Sequence, residues 1–294
     1  PVVALFPKLE TAWWRAPVVL VKAPTGSGKS TRLPLHLLQW EGFPSDQLLL
    51  VLQPRRVAAR LLARYLAGLR GERPGDTVGY QVRFERRRSE RTRLLFVTEG
   101  LLLRWLAGGT TLSGVGGILF DEFHERHLEG DVGLGLALRA QEAGWRGRIG
   151  ILSATLETTG LRRLLPQAEV LESAGRSFPV ATEFRGGLGE ERPAERVVKA
   201  VRKALREGRE GDYLVFLPGA GDIERAVRGI RQLREGKGWE VLPLYGALPP
   251  EAQDRALRPG TDPRILVATN LAETSVTLPG IRTVIDSGLA RMPA

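Results

Sequence analysis

Short apolar runs alternate with helix-like stretches along this chain, and that alternation constrains its fold more than any other feature. "VVLVKAP" (18–24), "LLLVLQ" (48–53), "LLFVT" (94–98), "GILFDE" (117–122) and "IGILSAT" (149–155) lack the strict in–out pattern of a half-exposed strand. Such runs are what strands buried on both faces look like. Residues 57–69 and 101–106 read as helices, as does 30–40. Strand and helix taking turns predicts a mainly parallel α/β sheet flanked by helices. Small residues, Gly and Pro in "ESAGRSFP" (172–179) interrupt the series. A second series follows, with strands at "DYLVFLPG" (212–219), "WEVLPLYG" (239–246), "RILVATN" (264–270) and "RTVIDSG" (282–288), and helices expected at 194–207, 222–234 and 250–257. The expected organisation is a lobe over 1–172, a linker over 173–180 and a second lobe over 181–294.

The first of these strands runs into "APTGSGKST" (23–31). Ala23, four residues, then Gly28-Lys29-Ser30 is the spacing of a P-loop, with alanine where the first glycine usually stands. Gly26 and Gly28 let the backbone curl so that successive N–H groups face one point, and the helix that follows adds the positive end of its dipole. Thr25, Gly26, Ser27, Gly28, Lys29, Ser30 and Thr31 are therefore candidates to cradle the phosphates of a nucleoside triphosphate. Lys29 would reach the β- and γ-phosphates, and Ser30 would offer its hydroxyl to Mg²⁺. A second strand ends in Asp121-Glu122. Two adjacent acids are poor structure formers, and the carboxyl ends of strands are where open α/β sheets bind ligands. Ser30, Asp121 and Glu122 make up the expected metal site: Asp121 would hold Mg²⁺ largely through water, and Glu122 beside it would also orient and deprotonate the attacking water.

Composition narrows the chemistry. Hydrophobic residues make up 43% of the 294, enough for sizeable cores. With no cysteine, disulfides, thiolate metal sites and cysteine nucleophiles are excluded, and a reducing compartment such as the cytoplasm is expected. The three histidines, at 36, 124 and 127, lack the partners of a zinc site. No apolar run approaches the 18 or so residues of a membrane helix. The formal charge is +10, with arginine far outnumbering lysine. That balance fits a polyanionic partner, although a genome rich in Arg, Gly, Leu and Pro gives it too. The charge run "RFERRRSERTR" (83–93) reads mostly as a solvated hairpin or loop.

The motifs in order resemble the DEAH-box branch of the superfamily 2 helicases. "DEFHER" (121–126) is similar to the signature of that family. "QPRRVAAR" (53–60), "TEGLLLR" (98–104), "SATL" (153–156), "LVFLPG" (214–219), "LYGALPPEAQ" (244–253) and "ILVATNLAETSVTLPGI" (265–281) follow in its order. The resemblance implies two RecA-like P-loop NTPase lobes, ATP with Mg²⁺ between them and a single strand of nucleic acid across their top. It assigns Arg55, Arg56 and Thr98 to the strand in lobe one, and Thr269 and Asn270, with Thr274 nearby, to lobe two. "GYQVRFE" (79–85) also matches, which makes Arg83 a candidate phosphate contact. Ser153 and Thr155, with His124, would couple the two sites; Thr155 also reads as a helix N-cap. Tyr65 is a candidate stacking partner for the base of ATP.

Arginines and threonines after strand ends suit phosphates, and nothing in these motifs forms an array of base-edge readers. Sequence-tolerant binding is expected, RNA favoured and DNA possible, by a monomer with no membrane partner. The second lobe with "ATNLAETS" speaks against a P-loop kinase or GTPase. The family's next motif, a glutamine followed by two glycine–arginine pairs, would lie beyond "DSGLARMPA", and Arg291 does not match it by spacing. A trimmed chain that binds ATP and RNA with little turnover is therefore the alternative expectation.

Overall fold

The structure is a computed structural model, and it describes residues 1–108, 111–155, 158–174, 179–184, 191–258, 260–269, 278 and 280–289. The chain divides into two compact units, Pro1–Phe178 and Pro179–Ala294.

In the first unit, helix α1 (Phe6–Arg15) precedes strand β1 (Val18–Lys22), and α2 (Arg32–Gln39) follows it. Then come β2 (Leu48–Gln53), α3 (Arg56–Leu69), β3 (Val78–Val82), β4 (Glu85–Arg87), β5 (Leu94–Thr98) and α4 (Glu99–Ala107). The unit closes with β6 (Val115–Phe120), α5 (Leu128–Glu142), β7 (Arg148–Ser153), α6 (Thr158–Leu164) and β8 (Glu169–Glu172). Its eight strands form one sheet in the order β4-β3-β5-β2-β6-β7-β1-β8. Every pairing is parallel except β3 with β4.

Two apolar layers hold this sheet, one on each face. α3 places Ala58, Ala59, Leu62, Ala63, Leu66 and Ala67 against one face, the i, i+4 stripe of a core-facing helix. Trp13 of α1 lies on the same side, across two glycines. A Cβ at Gly117 of β6 would stand 2.7 Å from its ring, and one at Gly150 of β7 would stand 3.1 Å from it. The strands β2 and β5 span the residues their apolar runs predict. The β3–β4 hairpin and β8 lie in stretches whose patterns do not announce strands.

In the second unit, α7 (Pro193–Arg206), β9 (Asp212–Phe216), α8 (Ala220–Arg231), β10 (Glu240–Leu244), α9 (Pro250–Leu257), β11 (Arg264–Ala268) and β12 (Ile281–Asp286) follow one another. Four parallel strands order as β10-β11-β9-β12. Buried Arg264 pairs with Asp212 at 2.5 Å and ties β11 to β9. Among the described residues no helix is long and apolar enough to cross a membrane.

Candidate active site

Because β1, β2, β5, β6 and β7 run parallel, their carboxyl ends share one edge of the first sheet. The segments that leave this edge carry Ala23–Thr31, Gln53–Arg56, Thr98–Glu99, Asp121–Glu122 and Ser153–Thr155. In the loop after β1, Gly26 and Gly28 have φ of 72° and 95°, a region costly for any residue with a Cβ. The Gly28 carbonyl accepts N–H groups from Thr31, Arg32 and Leu33 at 3.2, 2.8 and 3.3 Å. This tight turn delays the helix, so α2 starts at Arg32 rather than at the expected Ser30. Thr25 and Gly26 are exposed, Gly28, Ser30 and Thr31 are half-buried, and Ser27 and Lys29 are buried.

Lys29 meets Glu122 inside this edge. Its ammonium lies 3.0 Å from Glu122 Oε1, and each side chain is 3% exposed. Glu122 is one of three non-glycine residues with positive φ among the described residues, at 51°. That turn brings its carboxyl back over the sheet edge. Burial and the adjacent Asp121 push Glu122 up to about 7, against the pull of Lys29.

Asp121 is fixed at both oxygens. Oδ2 accepts Nε2–H of Gln53 at 2.6 Å, and Oδ1 accepts the backbone N–H of Glu122 at 2.9 Å. Gln53 is fully buried, at the end of β2. Three buried polar atoms here have no hydrogen-bond partner: Ser27 Oγ, Gln53 Oε1 and Glu122 Oε2. Unmet buried acceptors and hydroxyls are uncommon in folded chains, and they mark where a ligand's waters and phosphates would be held.

Two carboxylates and the Ser30 hydroxyl suit a hard cation that keeps most of its water, as Mg²⁺ does with a phosphate ligand. Among the described residues no group of three or more His, Cys, Asp or Glu could hold a metal alone. The residues present therefore fit Mg²⁺ arriving with a nucleotide, with Ser30 and Asp121 as its holders.

His124 sits between this cluster and the segment after β7. Its Nδ1 lies 3.4 Å from the Ala154 backbone N–H, which can donate to it, and 3.5 Å from Glu122 Oε2. Burial and then Lys29 hold its imidazole below the ordinary histidine range, so it stands neutral. Ser153 Oγ donates to the Thr155 carbonyl at 2.7 Å. Helix α6 is described over Thr158–Leu164, and residues 156–157 between it and Thr155 lie outside the described residues.

A cleft of about 380 Å³ opens beside this cluster, lined among others by Arg56, Arg83, Thr98, Glu99, Arg104 and His127. Three of the residues expected to meet nucleic acid, Arg56, Arg83 and Thr98, come together here. Arg83 occupies the two-residue turn between β3 and β4, where its guanidinium lies 4.7 Å from the ring centre of Phe84. Arg55 stands elsewhere, half-buried with Nη2 3.4 Å from Glu125 Oε2. That same oxygen lies 2.9 Å from His127 Nε2. Arg55 thus reaches the DEFHER turn rather than the lining of the cleft. Tyr65 is 56% exposed on α3. In the second unit Thr269 is half-buried just after β11; Asn270, Thr274 and Arg291 lie outside the described residues.

Gln53, Glu99, Arg104 and His127 were not singled out by the sequence. A glutamine closing an apolar strand and a glutamate opening a helix both have ordinary structural uses, so type and spacing alone gave no signal.

Residues 10–164 match the family described as DEAD/DEAH box helicase, and residues 196–294 match the helicase conserved C-terminal domain. ATP-dependent RNA helicase HrpB of Escherichia coli (strain K12) is 44% identical over 298 residues, which cover 99% of this chain and 36% of that protein. ATP-dependent RNA helicase HrpA of the same strain is 35% identical over 280 residues, covering 94% of this chain and 21% of that protein. The crystal structure of Escherichia coli DEAH/RHA helicase HrpB matches with a TM-score of 0.88 at 44% identity, covering 97% of this chain and 36% of that one. The chain therefore spans between about a fifth and about a third of the length of these relatives.

Proposed function

Since this chain belongs to the DEAD/DEAH box helicases, we propose that it is an ATP-hydrolysing motor core that moves along single-stranded RNA. Its two mainly parallel sheets are the RecA-like lobes of that family. The observation that carries the reading is the buried Lys29–Glu122 pair, set on the same sheet edge as a cleft lined with arginines. Lys29 would exchange Glu122 for the β- and γ-phosphates of ATP. Glu122, released from that pair, would take the proton of the attacking water and return it; burial and Asp121 already raise its carboxyl above the ordinary range. Mg²⁺, held by Ser30 and Asp121, supplies charge neutralisation at the phosphates.

Arg56, Arg83 and Thr98 would hold phosphates of the strand, so binding is backbone-directed and tolerant of sequence. The two sites communicate by a short path in the first unit. His127 lines the cleft, its Nε2 is 2.9 Å from Glu125, and the Glu125 N–H donates to the Glu122 carbonyl at 2.9 Å. Thr269, Asn270 and Thr274 complete the strand contacts in the second lobe, and the base of ATP stacks on Tyr65.

The test pairs two binding measurements on this chain, fluorescent ADP with Mg²⁺ and a fluorescent single-stranded RNA. Lys29→Ala should lose ADP and keep RNA, whereas Arg56→Ala should weaken RNA and keep ADP. If Lys29→Ala binds ADP as wild type does, the nucleotide assignment is wrong.

A further inference from the structure

The cleft contains a residue that a pure phosphate binder has no use for. Glu99 opens α4 at the end of β5, is 7% exposed, and lines the same cleft as Arg56, Arg83 and Arg104. It forms no hydrogen bond or ion pair with any described residue. A largely buried carboxyl with no direct donor costs desolvation, and with Glu129 also on the lining it opposes the charge of a strand. The fold nevertheless makes room for it. A Cβ at Gly130 of α5 would stand 2.6 Å from Glu99 Oε1 and 3.1 Å from its carboxyl carbon. A glycine inside the first turn of α5 costs helix stability, and seating this carboxyl is the packing reason for it.

We propose that Glu99 accepts a hydrogen bond from a ribose 2′-hydroxyl of the bound strand, and so makes the cleft selective for RNA over DNA. The sugar–phosphate backbone of DNA offers no hydrogen-bond donor at all. That of RNA offers one, the 2′-hydroxyl, which lets a protein tell the two apart. A carboxyl keeps an acceptor oxygen whether or not it carries a proton, so the contact survives either state. Burial first, and then the negative charges of Glu129, Glu125 and Asp131, push Glu99 up to about 7 against the pull of His127, so an approaching polyanion meets a group readily neutralised. Against DNA the carboxyl stays unpaired after the strand has displaced its water, and that loss is the source of selectivity. The proposal rests on the reading of this cleft as the strand site.

The experiment compares oligo(U) with oligo(dU) binding, so that the base contribution is nearly the same on both sides. Wild type should prefer RNA by roughly tenfold, the size of one hydrogen bond to a desolvated group. Glu99→Ala should bring the ratio close to one through weaker RNA binding, with oligo(dU) affinity kept or improved. Glu99→Gln retains an acceptor oxygen and should keep part of the ratio. On the wild-type chain, 2′-O-methyl oligo(U) lacks the donor and should bind like oligo(dU), a result that needs no variant to fold. An unchanged ratio in folded Glu99→Ala, or full affinity for the 2′-O-methyl strand, overturns the proposal. The double variant Arg56→Ala, Arg83→Ala separates the two levels. If it weakens both strands while Glu99→Ala leaves the ratio intact, only the role of Glu99 fails. If it weakens neither, the strand-site reading fails, and the proposal with it.

Discussion

Lys29 and Glu122 neutralise each other at 3.0 Å inside the sheet edge, so in this state the lysine that would grip phosphate is occupied by the carboxylate that would activate water. Nucleotide entry must exchange one anion for another on the same ammonium. Removing the lysine therefore does two things. Lys29→Ala is expected to abolish binding of Mg²⁺-ADP and to leave Glu122 uncompensated, which lowers stability, because breaking a buried pair from one side is costly. Equilibrium binding and a thermal melt read both effects. Full ADP affinity would refute the exchange.

Glu122→Gln separates binding from chemistry. The amide cannot accept the proton of water, so hydrolysis should fall by about 10²–10⁴. Lys29 is no longer held by a carboxylate, so ATP affinity should stay equal or rise. Single-turnover hydrolysis beside ATP binding makes the comparison. A folded Glu122→Gln chain that no longer binds ATP would contradict these roles.

Gln53→Leu probes the metal carboxylate. It removes the 2.6 Å bond to Asp121 Oδ2 while keeping volume in the core. The expected result is a weaker Mg²⁺ dependence, by about 1–2 kcal/mol in the Mg²⁺-linked part of nucleotide binding, with metal-free binding unchanged. If titrating Mg²⁺ gives the same midpoint for both chains, Gln53 does not position Asp121.

Glu99 gives a pH signature in stability. Burial raises its folded pKa to about 7, above the 4.5 of a free glutamate. The folded state therefore binds the proton more tightly than the unfolded one. This favourable term is complete below pH 4.5 and is lost as pH climbs through 7. Glu99→Gln should melt close to wild type at pH 5 and above it at pH 8. A constant difference in melting temperature across that range would show that Glu99 is not held in the neutral form by burial.

The β3–β4 hairpin offers a backbone test. A Cβ at Gly79 would lie 2.4 Å from the Arg87 carbonyl oxygen on the facing strand. Gly79→Ala should cost about 1–3 kcal/mol in urea unfolding, since backbone cannot yield as a side chain can. RNA affinity should drop with it, because the same hairpin carries Arg83 at its turn. A neutral melt with unchanged RNA binding would remove the hairpin from the site.

The parts of this fold that were legible in the sequence are those where one physical signal dominates. β2 and β5 are buried on both faces, so uninterrupted apolar residues marked their limits. Gly26, Gly28 and Lys29 announced the loop because few other uses combine those residues after a strand. β3 was hidden because Gly79 breaks its run, whereas β4 lies inside the charged stretch 83–93 that read as a solvated hairpin or loop. Arg55 shows a different limit. A cation at a helix start reads as a phosphate contact, and in the structure it also stands 3.4 Å from Glu125, a neighbour 70 positions away that no local pattern could supply. Glu99 was hidden for the opposite reason, because an acid at the start of a helix is already accounted for by the helix dipole. Its place in a cleft with Arg56, Arg83 and Arg104 exists only in three dimensions.

The left-handed backbone at Glu122 bears on how this chain can change over time. A position with φ of 51° tolerates asparagine, aspartate or glycine far better than valine, isoleucine or threonine. Of the residues one base change from glutamate, only valine is branched at Cβ, and it alone meets a conformational toll as well as a chemical one. In a saturation library, the survivors at 122 that keep the fold should be unbranched at Cβ whether or not they retain activity. Shape alone would thus narrow the alphabet at this site before selection on turnover begins.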